Sequence, residues 1–445
     1  MSTLLKQVEK LNSEVVDLFS GCGGLALGFL NEGFPIATGA EINESAQLTA
    51  TYNLHWKLGK DSEHLNIDIT KNNTSLLTNF LKFKPVVIGG PPCQAYSNIG
   101  RAKLRSLGEN RIAVNDKRGY LYQDFLRYAL ELDANAIIME NVPESTNFDN
   151  KNIPELVCES LDNAGYISYW TLLNSADFGV PQTRERIFVV AVKREITAEL
   201  SLPVPTHRPR NTVVRKNRNF KDTRYYRPAI KPKDDLPYWI TVEDALSDLP
   251  ILFPTVKSRY KLNKTNMVLP YRYEPQNIYQ EKMRRHVSPK HLVTGHAFRK
   301  TLRDFPIFKE MNPGDNYMHA QKIANEMFDR KCRKLNIRPQ SEQYEELKKK
   351  MVPPYSTEKF LAKWQKLHLD RPSHTLVAHL SVDTYSHIHP WEPRGISVRE
   401  AARLQSFPDD FIFNCTMGEA FKQIGNAVPP LLSQAIAKTI KPFFN

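Results

Sequence analysis

The chain has 445 residues, enough for two domains or one domain with a large insertion, and its 61 Lys and Arg against 48 Asp and Glu favour a polyanionic partner such as nucleic acid. No apolar stretch approaches the length of a membrane span, and residues 1–12 lack the apolar centre of a signal peptide, so we expect a cytoplasmic protein without membrane association. The cysteines have neither the spacing of metal ligands nor that of a disulfide framework, so no metal site is predicted: Cys22, Cys93, Cys158, Cys332 and Cys415.

The first predicted elements form a strand, a glycine turn and a helix. An apolar strand over 15–19 leads into Gly21-x-Gly23-x-x-Ala26, and a helix is predicted over 27–32. Glu41 follows about twenty residues later, at the end of the next apolar run. A carboxylate there can accept both hydroxyls of a ribose, which nicotinamide cofactors and S-adenosylmethionine (AdoMet) share. A tight structural turn is the alternative.

Two further strands are predicted to end in functional groups. Residues 65–69 form a strand candidate whose Asp68 could meet an adenine amino group, although a helix-capping loop aspartate is the alternative. The apolar run 85–88 ends in Gly89-Gly90-Pro91-Pro92-Cys93-Gln94. A thiol beyond the carboxyl end of a parallel strand can be reachable and activated, although a buried core cysteine is commoner. The basic segment 97–117 that follows resembles a mobile flap, or else a solvated loop.

Alternating strands and helices continue to about residue 193 and predict a doubly wound parallel sheet. Helices are predicted over 121–131 and 153–164, and strands over 136–139, 166–173 and 187–192. Glu140 follows the strand 136–139, where it could be catalytic or could merely cap a helix. Arg184 and Arg186 alternate on entering the last strand, so both are predicted to reach one ligand.

The composition changes after residue 193. The segment 208–227 carries eight basic residues against one acid, with tyrosines between them, which suits a surface that follows a phosphate backbone. A disordered linker is the alternative, and 342–350 is predicted to be an ordinary solvated helix. Near the end, Ser397 is predicted to cap a helix over 396–404, and a turn at 425–430 precedes a final helix over 431–440.

Six sequence blocks together resemble the DNA cytosine C5-methyltransferases, in the order that this family has them. They cover 15–193 and 394–440 and leave the intervening segment at the place of the family's variable target-recognition region. The blocks are Asp17–Gly24, Gly90–Gln94, Glu140–Val142, Gln182–Arg186, Arg399–Leu404 with Phe407-Pro408, and Gln423–Val428.

The resemblance implies a catalytic set and a cofactor. Cys93 would attack C6 of a flipped-out cytosine, Glu140 would contact N3, and Arg186 would hold the O2 edge. Arg184 completes the implied catalytic set. The residues implied to bind AdoMet, which leaves as S-adenosylhomocysteine, are Phe19, Gly21, Gly23, Glu41, Ile42, Asp68, Ile69, Pro92, Leu121, Asn426 and Val428.

The implied architecture is α/β. A doubly wound, Rossmann-like AdoMet-dependent methyltransferase sheet would occupy 1–193, completed by 417–445, and a smaller mixed target-recognition domain would occupy 194–416. The implied enzyme is a monomer that methylates double-stranded DNA in a restriction-modification system. A cognate restriction endonuclease would act on the same site without forming a stable complex.

Other functions fit the sequence less well. A dehydrogenase would leave Cys93 and Glu140 unexplained, and an amino-directed DNA methyltransferase should carry an aromatic residue after the two prolines. A transfer RNA cytosine-5 methyltransferase stays open, because it would use a similar catalytic set. A catalytically idle DNA-binding regulator also stays open.

Overall fold

The computed structural model describes residues 11–92, 120–211, 220, 223–252, 268–288, 290, 292–355 and 363–445. The chain divides into a larger unit, 1–239 with 427–445, and a smaller unit, 240–426. The larger unit extends beyond residue 193 because the segment up to 239 packs on it, as when the Trp239 indole donates a hydrogen bond of 3.1 Å to Asp177. Its C-terminal piece begins at 427 instead of 417. The assignment of cofactor binding and target recognition to these units stays a prediction.

A seven-stranded sheet organises the larger unit, in the order β3-β2-β1-β4-β5-β8-β6. Every neighbouring pair is parallel except the two pairs that involve β8. A two-residue strand, β7, lies outside it. The strands are β1 Val15–Leu18, β2 Ile36–Ala40, β3 His64–Leu65, β4 Val86–Gly89, β5 Ala136–Asn141, β6 Tyr166–Asn174, β7 Gln182–Thr183 and β8 Glu185–Lys193.

The sequence predicted this α/β sheet, and the central strands show why. All residues of β1, β2 and β4 are buried, as expected where helices cover both faces of a parallel sheet. The predicted parallel arrangement holds for β1 to β5 but not for β8, which runs antiparallel to β5 and β6. The link from β6 to β8 is too short for a crossover helix, so β8 has to run back beside β6.

Helices flank this sheet. They are Gly24–Asn31, Glu44–Leu54, Ser75–Thr78, Leu121–Glu131, Ile153–Asn163 and Pro430–Ile440, with 3-10 turns at Trp56–Leu58, Pro143–Asn147, Ser175–Phe178 and Lys441–Phe443. The final helix packs closely on the first. The Ser433 hydroxyl donates to the Leu25 carbonyl, and a Cβ on Gly28 would lie 2.4 Å from that of Ser433. Residues 430–440 therefore complete the larger unit.

The smaller unit is built mainly from helices around an aromatic cluster. Trp364 is fully buried, stacks on Tyr385 at 5.0 Å and meets Phe308 edge-on. Strands β9 Leu269–Pro270 and β10 Leu292–Val293 form an antiparallel pair, and β11 is Ser373–His374. The helices are Val242–Leu246, Ile278–Met283, Phe305–Glu310, Tyr317–Lys334, Glu342–Met351, Val398–Leu404 and Met417–Asn426, with a 3-10 turn at Ala378–Ser381.

Buried arginines tie the segments of the smaller unit together. Arg403 is 0 % exposed and donates to Asp409 at 2.6 Å and to Asp248 at 3.0 and 3.1 Å. It also donates to the carbonyl of Ala245 at 2.9 Å. A guanidinium presents its donors in a fixed fork, so one side chain can satisfy two carboxylates and a carbonyl. The predicted cap is confirmed, because the Ser397 hydroxyl accepts from the amide of residue 400.

In the part of the chain that the structure describes, no helix combines the length and the apolar character that crossing a membrane requires.

Candidate active site

The carboxyl edge of the sheet collects most of the predicted site residues. The strand order places the ends of β3, β2, β1, β4 and β5 side by side. Asp68 and Ile69 follow β3, Glu41 and Ile42 follow β2, and the glycine loop follows β1. Gly90 to Pro92 follow β4, and Glu140 lies near the end of β5. Ligands of open α/β sheets bind at this edge.

The glycine loop after β1 turns sharply. Phe19, Gly21 and Gly23 have φ values of 55°, 54° and 85°, in the left-handed region that favours glycine. A Cβ on Gly23 would lie 2.6 Å from the Leu54 side chain, so this position has no room for one. At Gly21, by contrast, the described residues place no atom within 4 Å of the Cβ position. The loop therefore has one open side where a ligand can approach the backbone.

Glu41 joins this loop to the next strand. Its Oε2 accepts from the Gly21 amide at 2.9 Å and its Oε1 accepts from the Asn43 amide at 2.8 Å. Ile42 beside it is 68 % exposed, so its apolar surface is accessible to a ligand. A partly exposed carboxylate beside an exposed apolar surface suits a nucleoside, with hydroxyls for the acid and a ring face for the isoleucine.

Asp68 does not lie in a strand, so the predicted strand over 65–69 was wrong in extent. Strand β3 ends at Leu65, and Asp68 instead caps the following turn. Its Oδ1 accepts from both the amide and the hydroxyl of Thr70, and the hydroxyl contact is the main reason why its pKa is lowered. Ile69 is buried, and Leu121 begins its helix partly buried.

Glu140 and Arg186 form an ion pair. Arg186 Nε lies 2.8 Å from Glu140 Oε1, and each side chain is 13 % exposed. The backbone after β4 approaches the same carboxylate, since a Cβ on Gly90 would lie 3.1 Å from Glu140 Oε2. Cys93 lies outside the described residues, which end in this segment at the half-buried Pro92. Its catalytic role stays a prediction.

Arg184 is placed differently from Arg186. It falls between β7 and β8 instead of inside one strand, so the alternation that predicted a shared face does not apply there. Its side chain is 1 % exposed, and its backbone carbonyl accepts from both the amide and the hydroxyl of Ser175. A catalytic role for Arg184 stays a prediction.

The two C-terminal residues that are predicted to contact AdoMet belong to different units. Asn426 is exposed at the end of the helix 417–426 in the smaller unit, and Val428 is buried in the larger unit. Their contacts with AdoMet stay predictions.

Sequence reasoning placed Asp17 at the start of the first family block but assigned it no role of its own; it lies directly before the glycine loop, at the third position of β1. It is 1 % exposed, and neither carboxylate oxygen has a hydrogen-bond partner among the described residues. Burial raises its pKa well above 3.8, and the charge of Glu41 adds to this. Asp17 and His64 flank Gly39 in register, and the His64 ring covers Gly39, with Nε2 2.4 Å from where its Cβ would be. A carboxylate inside the apolar run 15–19 was the available signal.

The described arginines of the basic segment 208–227 lie over aromatic rings. Arg208 and Arg210 lie over the Tyr238 ring at 4.3 and 5.4 Å. Arg224 lies over Tyr225 at 5.1 Å, and Arg227 over Tyr169 at 5.2 Å. Stacking of this kind orders a guanidinium while leaving donors available. Residues 212–219 and 221–222 of this segment lie outside the described residues.

One buried group among the described residues has the composition of a metal site. It consists of His389, Glu392 and Glu400 in the smaller unit. Arg394 already bridges the two carboxylates at 2.7 Å each, so its guanidinium supplies the positive charge that a cation would bring.

Comparison with known proteins shows the family of this chain. A family model described as C-5 cytosine-specific DNA methylase matches residues 13–442. The chain belongs to this family. The methylase is 55% identical over 444 residues to a protein of Oceanobacillus iheyensis named as a type II methyltransferase, with 97% of this chain and 96% of that protein covered. It is 30% identical to the type II methyltransferase M.AgeI of Thalassovita gelatinovora, with 96% of this chain and 99% of that protein covered.

A solved structure supports the fold. An E. coli prophage protein described as a DNA modification methyltransferase superposes on the methylase with a TM-score of 0.65 at 23% sequence identity, over 97% of this chain and 99% of that one. The predicted family and fold class are therefore confirmed.

Proposed function

We propose that this methylase transfers a methyl group from AdoMet to C5 of a cytosine flipped out of a specific duplex DNA sequence. We further propose that it is the modification enzyme of a restriction-modification system, since its relatives are named as type II methyltransferases. The observation that carries the chemistry is the Glu140–Arg186 ion pair, at 2.8 Å, beside the backbone of Gly90. It places an acid and a guanidinium beside the segment that leads to Cys93.

The chain's own residues would activate the base. Cytosine C5 is a weak nucleophile, so the Cys93 thiolate would first form a bond to C6 and push electron density onto C5. Glu140 would hydrogen bond to or protonate N3, where negative charge develops, and Arg186 would hold both Glu140 and the O2 edge. Once C5 has gained the methyl group, a base would remove the C5 proton, and the electron pair of that C–H bond would form the C5–C6 double bond as the C6–S bond breaks and Cys93 leaves as a thiolate.

AdoMet would supply the methyl group when bound. The open side at Gly21, the Glu41 carboxylate and the exposed Ile42 fit its adenosine, and Asp68 would lie toward the adenine amino group. The buried carboxylate of Asp17 lies directly before the same loop. These residues offer hydroxyl acceptors and an apolar surface, as an adenosine requires.

The target cytosine would have to leave the duplex, because stacked neighbours cover both faces of its ring. The net charge of +13 and the basic segment 208–227 suit contacts with the phosphate backbone. The arginines ordered on Tyr238 are candidates for such contacts.

The test is bisulfite sequencing of plasmid DNA after expression in a host that lacks cytosine methylation. We expect protected cytosines in one short recurring sequence, and no protection with Cys93→Ala. Cys415→Ala is the matched control, since this cysteine lies in the other unit, and it should methylate as the wild type does. An unmethylated plasmid, from a folded protein that binds AdoMet, would instead favour transfer RNA as substrate or a regulator. Turnover by Cys93→Ala would refute the covalent step.

A further inference from the structure

The side chain of Asn66 clamps the backbone of the proposed ribose-binding corner. Its Nδ2 donates to the carbonyl of Glu41 at 3.0 Å and to the carbonyl of Ile42 at 3.1 Å. Both contacts are made by one amide group that is itself exposed. No core packing therefore requires this asparagine, and its polar contacts are what it contributes.

The position of Asn66 explains the clamp. Strand β3 ends at Leu65, whose carbonyl accepts from the Glu41 amide at 3.0 Å. At the next residue the backbone ladder between β2 and β3 has ended, and the Asn66 side chain supplies donors in its place. Two residues later comes Asp68, on the proposed adenine side. Asn66 therefore links the loop that carries Glu41 to the loop that carries Asp68.

Glu41 is held from two directions. Its carboxylate accepts from the amide of Gly21 in the glycine loop and from the amide of Asn43 in its own loop. Its backbone carbonyl is held by Asn66, from the neighbouring loop. A binding group fixed at both its head and its backbone loses little further freedom when a ligand arrives.

We propose that Asn66 is a positioning residue for the adenosine half of AdoMet. It sets the spacing between the carboxylates of Glu41 and Asp68, so that one nucleoside can meet both. This inference rests on the proposed function, because it assigns the ligand of this edge to AdoMet. It predicts a defect in cofactor affinity and none in the chemistry at Glu140.

Two variants separate the hydrogen bonds from the shape of the side chain. Asn66→Ala removes both donors, and Asn66→Asp keeps the shape but turns acceptor oxygens toward two carbonyl oxygens. We expect Asn66→Ala to weaken AdoMet binding about 10-fold, which is about 1.4 kcal/mol. Asn66→Asp should weaken it more. The tenfold loss of affinity matches the net energy of about two neutral hydrogen bonds. The kcat at saturating AdoMet should stay within about twofold of the wild type, and the KM for DNA should not change.

A ligand comparison tests which half of the cofactor is involved. Methylthioadenosine contains the adenosine but not the amino acid group, so its affinity should fall by the same factor as that of AdoMet. The matched control is Asn325→Ala in the smaller unit, where an exposed asparagine amide likewise donates to a carbonyl, that of Gln321, at 2.9 Å. That variant should bind both ligands as the wild type does.

The outcomes are distinguishable by titration calorimetry and steady-state kinetics. A wild type that does not bind AdoMet would overturn the proposed function, and this inference with it. If the wild type binds but Asn66→Ala binds within twofold of it, only the inference is overturned. The inference also fails if kcat falls with unchanged affinity, or if AdoMet loses affinity while methylthioadenosine does not. Equal unfolding midpoints for the variants and wild type would exclude general unfolding as the cause.

Discussion

Lowering the pH from 7 to 5 should destabilise the fold, because buried histidines resist protonation. His55 is 0 % exposed, and burial followed by the charge of Lys60 lowers its pKa from 6.5 to about 4. His296 is also 0 % exposed, and burial lowers its pKa from 6.5 to about 3. Its Nδ1 lies 3.2 Å from the Ser397 hydroxyl, while Nε2 has no hydrogen-bond partner among the described residues.

The direction of the change in stability with pH follows from how many protons the folded and unfolded chains bind. Because the folded pKa values lie below the unfolded ones, the unfolded chain binds more protons as the pH falls below 6.5, and the stability present above that pH is lost. For these two shifts the cost is about 2 kcal/mol per histidine between pH 7 and 5, or about 4 kcal/mol together. Three further buried histidines and the half-buried His374, all with lowered pKa values, act in the same direction; the buried ones are His64, His387 and His389.

Asp17 acts in the opposite direction. Burial raises its pKa well above 3.8, so the native protein binds this proton more tightly than the unfolded chain does. Its contribution is greatest at low pH and is lost as the pH rises. Asp17→Asn removes this contribution, so the loss of stability on acidification should steepen by up to about 1.4 kcal/mol per pH unit.

Urea unfolding at pH 7, 6 and 5, followed by tryptophan fluorescence, measures these slopes. The free energy of unfolding of the wild type should fall with pH, that of Asp17→Asn should fall faster, and that of His296→Gln should fall more slowly. A wild-type value that stays constant or rises toward pH 5 would refute the reasoning. Equal slopes for all three proteins would show that neither residue changes protonation on unfolding.

Two substitutions test packing by the same unfolding measurement at pH 7. Arg403→Lys cannot reproduce the fork of donors that joins Asp248 to Asp409, so it should lower the free energy of unfolding by about 3–5 kcal/mol. The control Arg330→Ala breaks an exposed ion pair with Glu310 at 3.1 Å and should lower it by less than about 1 kcal/mol. Similar losses for the two would contradict the buried network. Gly39→Ala would place a Cβ 2.2 Å from the His64 ring and 2.6 Å from the Asp17 carbonyl oxygen, and should cost about 1–3 kcal/mol. Adding His64→Ala should not restore stability, because the carbonyl overlap remains; full recovery would show that the ring alone is responsible.

Features encoded locally could be predicted from the sequence. The helix over 121–131 was predicted with its observed bounds, because its apolar residues recur at helical spacing and five of them are buried on one side. The Ser397 cap was predicted because serine followed three residues later by glutamate satisfies free amides at a helix start. The central strands were predicted because burial on both faces requires uninterrupted apolar residues.

Features that depend on distant partners could not be predicted in full. The strand predicted over 65–69 ends at Leu65, because a side chain from Asn66 replaces the next backbone contacts. The basic segment 208–227 was expected to follow a phosphate backbone, yet Arg224 stacks on Tyr225 of the same segment, and Arg208 stacks on Tyr238 beyond it. Composition alone cannot distinguish an aromatic ring that stacks on an arginine of the same chain from one that is accessible to a ligand.

The strand order explains how one edge could serve a cofactor and a base. β4 lies next to β1 instead of β3, so the strand order reverses between β1 and β4, and ligands of open α/β sheets bind at such a reversal. Glu41 after β2 and Glu140 in β5 are three strand spacings apart, or about 14 Å. A nucleoside at Glu41 and a cytosine at Glu140 would then lie on either side of the β1–β4 boundary. Residues 90–92, which lead toward Cys93, leave β4 at that boundary.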